Sequence, residues 1–287
     1  MIIIDNVKDF DLDHIFDCGQ CFRWDKQEGG SYTGAVRGMP PVNISISPSK
    51  TLMIDSADGA EQERFWRGYL DLGRDYGAVK KVLSENDHKM SEIITFGSGI
   101  RILRQDEWET LISFIISQNN NIARIKKCIN TLCKNFGKQA GEYNRKEYFS
   151  FPEPETLARL AVEDLSVCSP GYRARYIIET AKAVAADNCE KLYAMKGVQA
   201  EEAFDYLTGL CGVGPKVANC IMLFSMGKIG SFPIDVRIRQ AMNQVFGIPE
   251  QNIKAMAEYA AINFGEYGGI AQQYLYYYVR NHKSKGE

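Results

Sequence analysis

The stretch Leu207-Thr-Gly-Leu-Cys-Gly-Val-Gly-Pro-Lys-Val-Ala-Asn-Cys220 reads as the end of one helix, a tight turn and the start of another. Gly212-Val213-Gly214 makes the turn, and Pro215 falls at the first position of the following helix, where its missing N–H is not needed. Glycines let the backbone approach a ligand closely, and the free N–H groups of a helix start attract an anion. A nucleic-acid phosphate is the natural occupant of such a two-helix hairpin. Lys216 lies in the first turn of the second helix, with Cys220 one turn later on the same face. The positive helix end and partial burial favour a neutral, nucleophilic amine there. Downstream, Ser231-Phe-Pro-Ile-Asp-Val236 reads as a loop that delivers the Asp235 carboxylate at a helix N-terminus. Alone, Lys216 is a solvated surface lysine and Asp235 an ordinary N-cap. The hairpin, the amine and the carboxylate together point to chemistry.

Outward from the hairpin, most of the chain after Gly97-Ser-Gly99 is helical in period. Leu111, Ile112, Ile115 and Ile116 form an apolar stripe that stops at Gln118-Asn-Asn-Asn121. Ile122, Ile125, Ile129 and Leu132 form another, which is expected to end on Gly137 as a C′ residue. Helices are also predicted over 154–162, 174–186, 200–207, 215–226, 235–245, 252–264 and 269–278. The first hundred residues differ. Cys21–Trp24, Tyr32–Val36, Val42–Ile46 and Thr51–Ile54 are short runs, alternating or β-branched, separated by turn signals such as Glu28-Gly-Gly30 and Ser47-Pro-Ser49. Their short connections predict an antiparallel sheet. From Glu61 the period turns helical. The expected class is α+β: an N-terminal antiparallel β-sheet domain with helices over residues 1–99, followed by a mostly α-helical domain over 100–287.

With 287 residues the chain fits one large or two modest domains, since about 150 residues per domain is usual. Hydrophobic residues at 45% and charged ones at 24% exclude a disordered or fibrous chain. No apolar run reaches the roughly 18 residues of a membrane span, and the start lacks a signal-peptide pattern. A protein with no membrane partner is expected: intracellular, and cytoplasmic or nucleoid-associated if the host is bacterial or archaeal. A monomer is the default. The 34 basic against 36 acidic residues leave a net charge of −2, so bulk charge does not mark a nucleic-acid binder. The excess is uneven: 11 basic against 16 acidic residues up to position 100, and 23 against 20 beyond it. The eight cysteines are expected to be reduced, and Cys18-Gly-Gln-Cys21 has no second close pair at zinc spacing. Neither a metal nor a cofactor is called for.

The hairpin with its Lys, and the Gly/Pro…Asp pattern after it, resemble the helix-hairpin-helix–GPD superfamily of base-excision DNA glycosylases. More narrowly, the chain resembles the eukaryotic-like 8-oxoguanine DNA glycosylases/AP lyases. Matching stretches run almost the full length: Cys18–Trp24, Arg101–Asp106, Ser117–Arg124, Gly171–Tyr176, the hairpin, Pro233–Val236 and Gly269–Gln272. The iron–sulfur cysteines typical of the endonuclease III and adenine-glycosylase branches are missing after Cys220.

The resemblance implies a partner, double-stranded DNA containing an oxidised guanine, and a set of roles. Lys216 attacks C1′, displaces the base and becomes a Schiff base, after which β-elimination cleaves the strand; Asp235 stabilises the cationic sugar. The Gly19 carbonyl meets the N7–H that 8-oxoguanine has and guanine lacks. Gln272 reads the Watson–Crick edge, and Tyr276 stacks on the base opposite Cys220. Asn119, Arg124 and Arg173 recognise the estranged cytosine, and Tyr172 wedges beside the vacated space. Gly212, Val213, Gly214 and Arg237 face DNA phosphates. Simpler readings exist for several: a turn for Gly19, a helix cap for the Asn run, core packing for the tyrosines. Arg237 stands where the family carries His, Tyr276 where Phe is usual and Val279 where Asp is usual, which puts the lesion range in question. The alternatives are a glycosylase of the same fold for another purine lesion, or a non-catalytic helix-hairpin-helix DNA-binding protein; the latter does not require Lys216, Asp235 and Gln272 together.

Overall fold

The computed structural model describes residues 1–36 and 38–282. It opens with β1 (Ile2–Ile4) and the short helix α1 (Leu12–Phe16), followed by β2 (Trp24–Lys26), β3 (Tyr32–Gly34), β4 (Val42–Ile46) and β5 (Leu52–Ile54). Helices α2 (Ala60–Tyr69), α3 (Tyr76–Asn86), α4 (Met90–Phe96), α5 (Glu107–Ser117) and α6 (Ile122–Phe136) come next. A hairpin of β6 (Gln139–Tyr143) and β7 (Lys146–Phe149) precedes α7 (Pro154–Ala158), α8 (Arg173–Ala185), α9 (Glu190–Ala194) and α10 (Ala200–Thr208). The chain closes with α11 (Pro215–Phe224), α12 (Val236–Phe246), α13 (Ile253–Asn263) and α14 (Gly268–Asn281).

The five-stranded sheet is antiparallel, in the order β1-β5-β4-β3-β2. Its edge strand β1 comes from the apolar Met1–Ile4 start, pairing Ile2 with Ile54 and Ile4 with Leu52. The strand expected at Cys21–Trp24 begins only at Trp24, because residues 18–23 form a loop rather than a ladder. The fully buried Gln20 supplies that loop with substitutes for sheet bonds. Its amide donates to the carbonyls of Ile15 (2.9 Å) and Arg101 (2.8 Å), and its side-chain oxygen accepts from the Leu103 N–H (2.9 Å). Polar groups so matched can be buried without the cost of a lost hydrogen bond.

Two apolar cores result. One, around Trp24, Ile44, Leu52, Ile54 and Trp66, lies between the sheet, α1 and α2. The other runs through the helices and takes in Tyr76, Leu83 and Ile93 of α3 and α4 as well as α5, α8, α11 and α14. The β6–β7 hairpin interrupts the mostly helical part at a stretch to which no element was assigned. Its two-residue turn, Asn144-Arg145, has positive φ at both positions (49° and 63°), the geometry a right-twisted hairpin demands. It straps the two cores together. Lys146 pairs with Asp25 (2.6 Å), and the buried Arg23 pairs with Glu109 (2.9 Å) while donating to the Phe149 carbonyl. Gly137 ends α6, but extended (φ −89°, ψ 177°) rather than left-handed. The reason for glycine there is space: a Cβ would come within 2.0 Å of the Ser150 carbonyl oxygen.

No helix among the described residues is long and apolar enough to cross a membrane.

Candidate active site

Helices α10 and α11 flank the hairpin. Val213 N–H donates to the Leu210 carbonyl (3.1 Å) and closes the turn, with the Val213 side chain buried. That amide, expected to face a phosphate, is engaged within the turn. The N–H groups of Gly212 and Gly214 have no acceptor among the described residues. Gly212 sits at φ +76°, and a Cβ there would lie 2.4 Å from the Tyr176 ring. Gly214 is the N-cap of α11, exposed and with open space around it.

Lys216, in the first turn of α11, reaches into a cleft of about 660 Å³ between α5, α11, α14, the Gly19 loop and the loop before α12. Its Nζ lies 5.2 Å from the centre of the Phe114 ring, and its charge reaches the Cys220 thiol one turn along the helix. Burial pushes the Cys220 thiol up to about 11, against the smaller opposing effect of the Lys216 charge, so it is a neutral thiol at neutral pH. Phe114 stacks on Phe224 (5.4 Å between centroids) and meets Phe22 edge-on (5.5 Å), giving the amine an aromatic floor. Among the described residues no carboxylate forms an ion pair with Lys216. The ring face attracts the amine without an ion pair to hold it.

Asp235 caps α12: one oxygen accepts the Ile238 N–H at 2.8 Å, and the residue lines the same cleft. Capping therefore uses one oxygen and leaves the other available to the cleft. Arg237, exposed, stands at the mouth. On the opposite wall the Gly19 loop is braced from behind. The Gln273 amide donates to the Cys18 carbonyl (2.6 Å), and Arg280 grips Asp17 through its carbonyl and its carboxylate. Gly19 adopts φ +82°, and a Cβ on it would approach Tyr276 Cε1 to 3.1 Å. Burial raises the Tyr276 hydroxyl's pKa, and the nearby Asp235 charge adds to the effect. Gln272 is buried, lines the cleft, and its side-chain oxygen has no hydrogen-bond partner among the described residues. A buried, unsatisfied acceptor in a cavity is where a ligand donor gains most.

The cleft thus brings together Gly19, Lys216, Cys220, Asp235, Gln272 and Tyr276, with Asn119, Gly214 and Arg237 at its rim. Arg124 is exposed on the first turn of α6, and Tyr172 is 55% exposed at the start of α8. Arg173 departs from the expectation of a base reader. It is buried, and its guanidinium donates to the carbonyls of Pro170 (3.0 Å), Gln118 and Asn119 (3.0 Å) while packing over the Tyr172 ring (4.5 Å). In this conformation it builds the loop that presents Asn119. Two contributors escaped the sequence reading. Phe114 hides in an apolar stripe that reads as core, and Gln118 in a polar run that reads as a cap. No cluster of three or more His, Cys, Asp or Glu side chains that could hold a metal occurs among the described residues.

A lysine on a helix-hairpin-helix, set across a cleft from an N-capping aspartate, defines a class of base-excising DNA repair proteins. Residues 112–263 match the family model of the HhH-GPD superfamily of base excision DNA repair proteins, and the chain belongs to it. Residues 2–111 match the N-terminal domain of 8-oxoguanine DNA glycosylase, which places the chain in that branch of the superfamily. It is 31% identical over 275 residues to N-glycosylase/DNA lyase OGG1 of Arabidopsis thaliana, covering 91% of this chain and 75% of the relative. A probable N-glycosylase/DNA lyase of Methanothermobacter thermautotrophicus is 32% identical, over 68% of each chain. The 8-oxoguanine glycosylase/lyase of Clostridium acetobutylicum, solved with double-stranded DNA containing cytosine opposite 8-oxoguanine, is 41% identical. That likeness spans 97% of this chain and 94% of the other, with a TM-score of 0.91.

Proposed function

We propose that the protein is a bifunctional DNA glycosylase/AP lyase that removes 8-oxoguanine from duplex DNA, preferring cytosine opposite. The observation that carries this reading is the Lys216 amine inside the cleft, set over an aromatic ring near the Cys220 thiol and unpaired with acid among the described residues. A base in a duplex must leave the stack before its sugar carbon is within reach. Once it is in the cleft, the amine nitrogen attacks C1′; the N-glycosidic bond breaks and its electron pair leaves with the base, which takes up a proton. The free oxygen of Asp235 faces the positive charge that develops on the sugar and serves the proton transfers. Loss of the amine protons and opening of the sugar ring convert the adduct to an imine. The imine acidifies C2′–H, and β-elimination breaks the C3′–O bond.

Recognition follows from donors and acceptors. 8-Oxoguanine carries N7–H, which the Gly19 carbonyl accepts; guanine presents a lone pair there, at a cost of about 1–3 kcal/mol for the unmade bond. The unpartnered oxygen of Gln272 accepts from the N–H groups of the purine's Watson–Crick edge. Tyr276 and Cys220 stand on the two faces. On the far side Asn119 and Arg124 carry amide and guanidinium groups suited to the edge of the estranged cytosine, and Tyr172 fills the gap in the stack.

Borohydride reduction tests the reading. Intact protein mixed with a duplex holding 8-oxoguanine opposite cytosine should yield a covalent protein–DNA adduct. Lys216→Gln should yield none while still binding the duplex. Intact protein that excises the base with no trapped adduct would instead be a monofunctional glycosylase, and one that binds without excision a DNA-binding module.

A further inference from the structure

Gln118 joins the two halves of the cleft. It caps the C-terminal end of α5, immediately before Asn119, which holds a left-handed backbone (φ 45°) on the exposed rim. Its carbonyl accepts from Arg173 Nε (2.8 Å) and from a second guanidinium nitrogen, so the main chain entering Asn119 is clamped from one side. Its side-chain amide turns the other way. Nε2 donates to the Gly212 carbonyl at 2.9 Å and to the Ile115 carbonyl at 3.1 Å. Gly212 is the first glycine of the hairpin, four residues before Lys216, and is held against the Tyr176 ring. Among the described residues Gln118 makes the one side-chain hydrogen bond to the Gly212 carbonyl, across 94 positions of sequence.

We propose that Gln118 is a positioning residue through which the base opposite the lesion sets the placement of Lys216. The inference rests on the glycosylase reading above. When Asn119 engages its base, the Gln118 main chain is fixed at both ends and its amide holds the hairpin carbonyl in place. With no base on Asn119 the same bond still forms, but the Gln118 main chain is then held only by Arg173 and the hairpin is braced less tightly. The coupling is local: Asn119, Gln118, Gly212 and Lys216 are consecutive contacts or near neighbours in sequence.

Gln118→Met tests this, because it keeps length and volume and removes the donor. Two probes are needed: a duplex with 8-oxoguanine opposite cytosine, and the same strand opposite a tetrahydrofuran abasic analogue. Single-turnover excision opposite cytosine is expected to fall about fivefold in the variant, equivalent to ~1 kcal/mol, with the rate opposite the analogue unchanged. A brace of purely structural importance would lower both rates by the same factor and overturn the proposal, as would unchanged rates on both. Thermal melting of the variant, and adduct formation with a preformed abasic site, report whether the fold and the amine are intact. Wild-type protein inactive on every lesion duplex would instead sink the parent reading, an outcome distinct from an active wild type whose cytosine advantage survives in Gln118→Met.

Discussion

On the wall of the cleft proposed to receive an extruded base, Cys220 and Gln272 are buried and the Gly19 loop is tied down by Gln20, Gln273 and Arg280. On the wall proposed to face the other strand, the Asn119 and Arg124 side chains stand in solvent, Tyr172 is half-exposed with its ring against the Arg173 guanidinium, and the main chain entering Asn119 is clamped. The first wall has lost its rotamer freedom on folding; the second still has it to lose, at roughly 0.5–1.5 kcal/mol per long side chain when DNA arrives. Pre-organised groups act on the chemical step, where they need no rearrangement, and flexible ones act on selectivity. Substitutions on the two walls should therefore separate into different kinetic parameters.

The largest effect of this kind is expected from Asp235→Asn. Asparagine caps a helix as well as aspartate does, so the Ile238 N–H keeps its acceptor and the fold is preserved. The carboxylate charge facing the sugar cation is lost, which should slow single-turnover excision by about 10²–10³-fold. DNA affinity, measured by fluorescence anisotropy, should change far less. Matched losses of rate and affinity would show that Asp235 belongs with the binding groups and would break the contrast between the walls.

Arg124→Ala probes the other wall. An exposed arginine on the first turn of α6 contributes little to stability, so melting should be unaltered. The ratio of excision rates opposite cytosine and opposite adenine should fall about tenfold, within the range of one good side-chain–base pair. A fall in both rates with the ratio intact would place Arg124 on a phosphate instead.

The same contrast explains what could be read from the chain and what could not. The hairpin, Lys216 and the Asp235 cap are local signals: glycines at a turn, Pro at a helix start, a carboxylate three residues before the N–H it accepts. Their meaning survives without knowledge of the fold. Arg173 carries no such local mark. Besides one bond to the nearby Pro170 carbonyl, its donors go to carbonyls 54 and 55 positions away, and only the packing of α8 against the end of α5 reveals that it supports the loop presenting Asn119. Phe114 and Gln118 are hidden for a like reason, since an apolar stripe and a helix end read the same whether or not an amine or a hairpin lies beyond them. The β6–β7 hairpin escaped because its turn is Asn144-Arg145, where the second left-handed position lacks the glycine that usually announces it.

The smallest effect sharpens the comparison within the hairpin itself. Gly212 and Gly214 look alike in sequence but serve different ends. At Gly212 the backbone is left-handed and the Tyr176 ring fills the space a Cβ would need, so that glycine is a requirement of folding. Gly214 has φ −92° and ψ 178°, a conformation any residue adopts, and nothing lies within 4 Å of a Cβ built there. A phosphate approaching the Gly214 N–H along the axis of α11 is expected to use that open space. Gly214→Ala should therefore melt with the wild type, or slightly above it through the lower entropy of its unfolded chain. Its affinity for duplex DNA at fixed ionic strength should weaken by roughly three- to fivefold, about the worth of one displaced phosphate hydrogen bond. The weakening should be equal for lesion-bearing and undamaged duplexes, because a phosphate contact carries no information about the base. A variant that loses stability while binding DNA as before would show that Gly214, like its neighbour, is held by the fold and not kept open for the ligand.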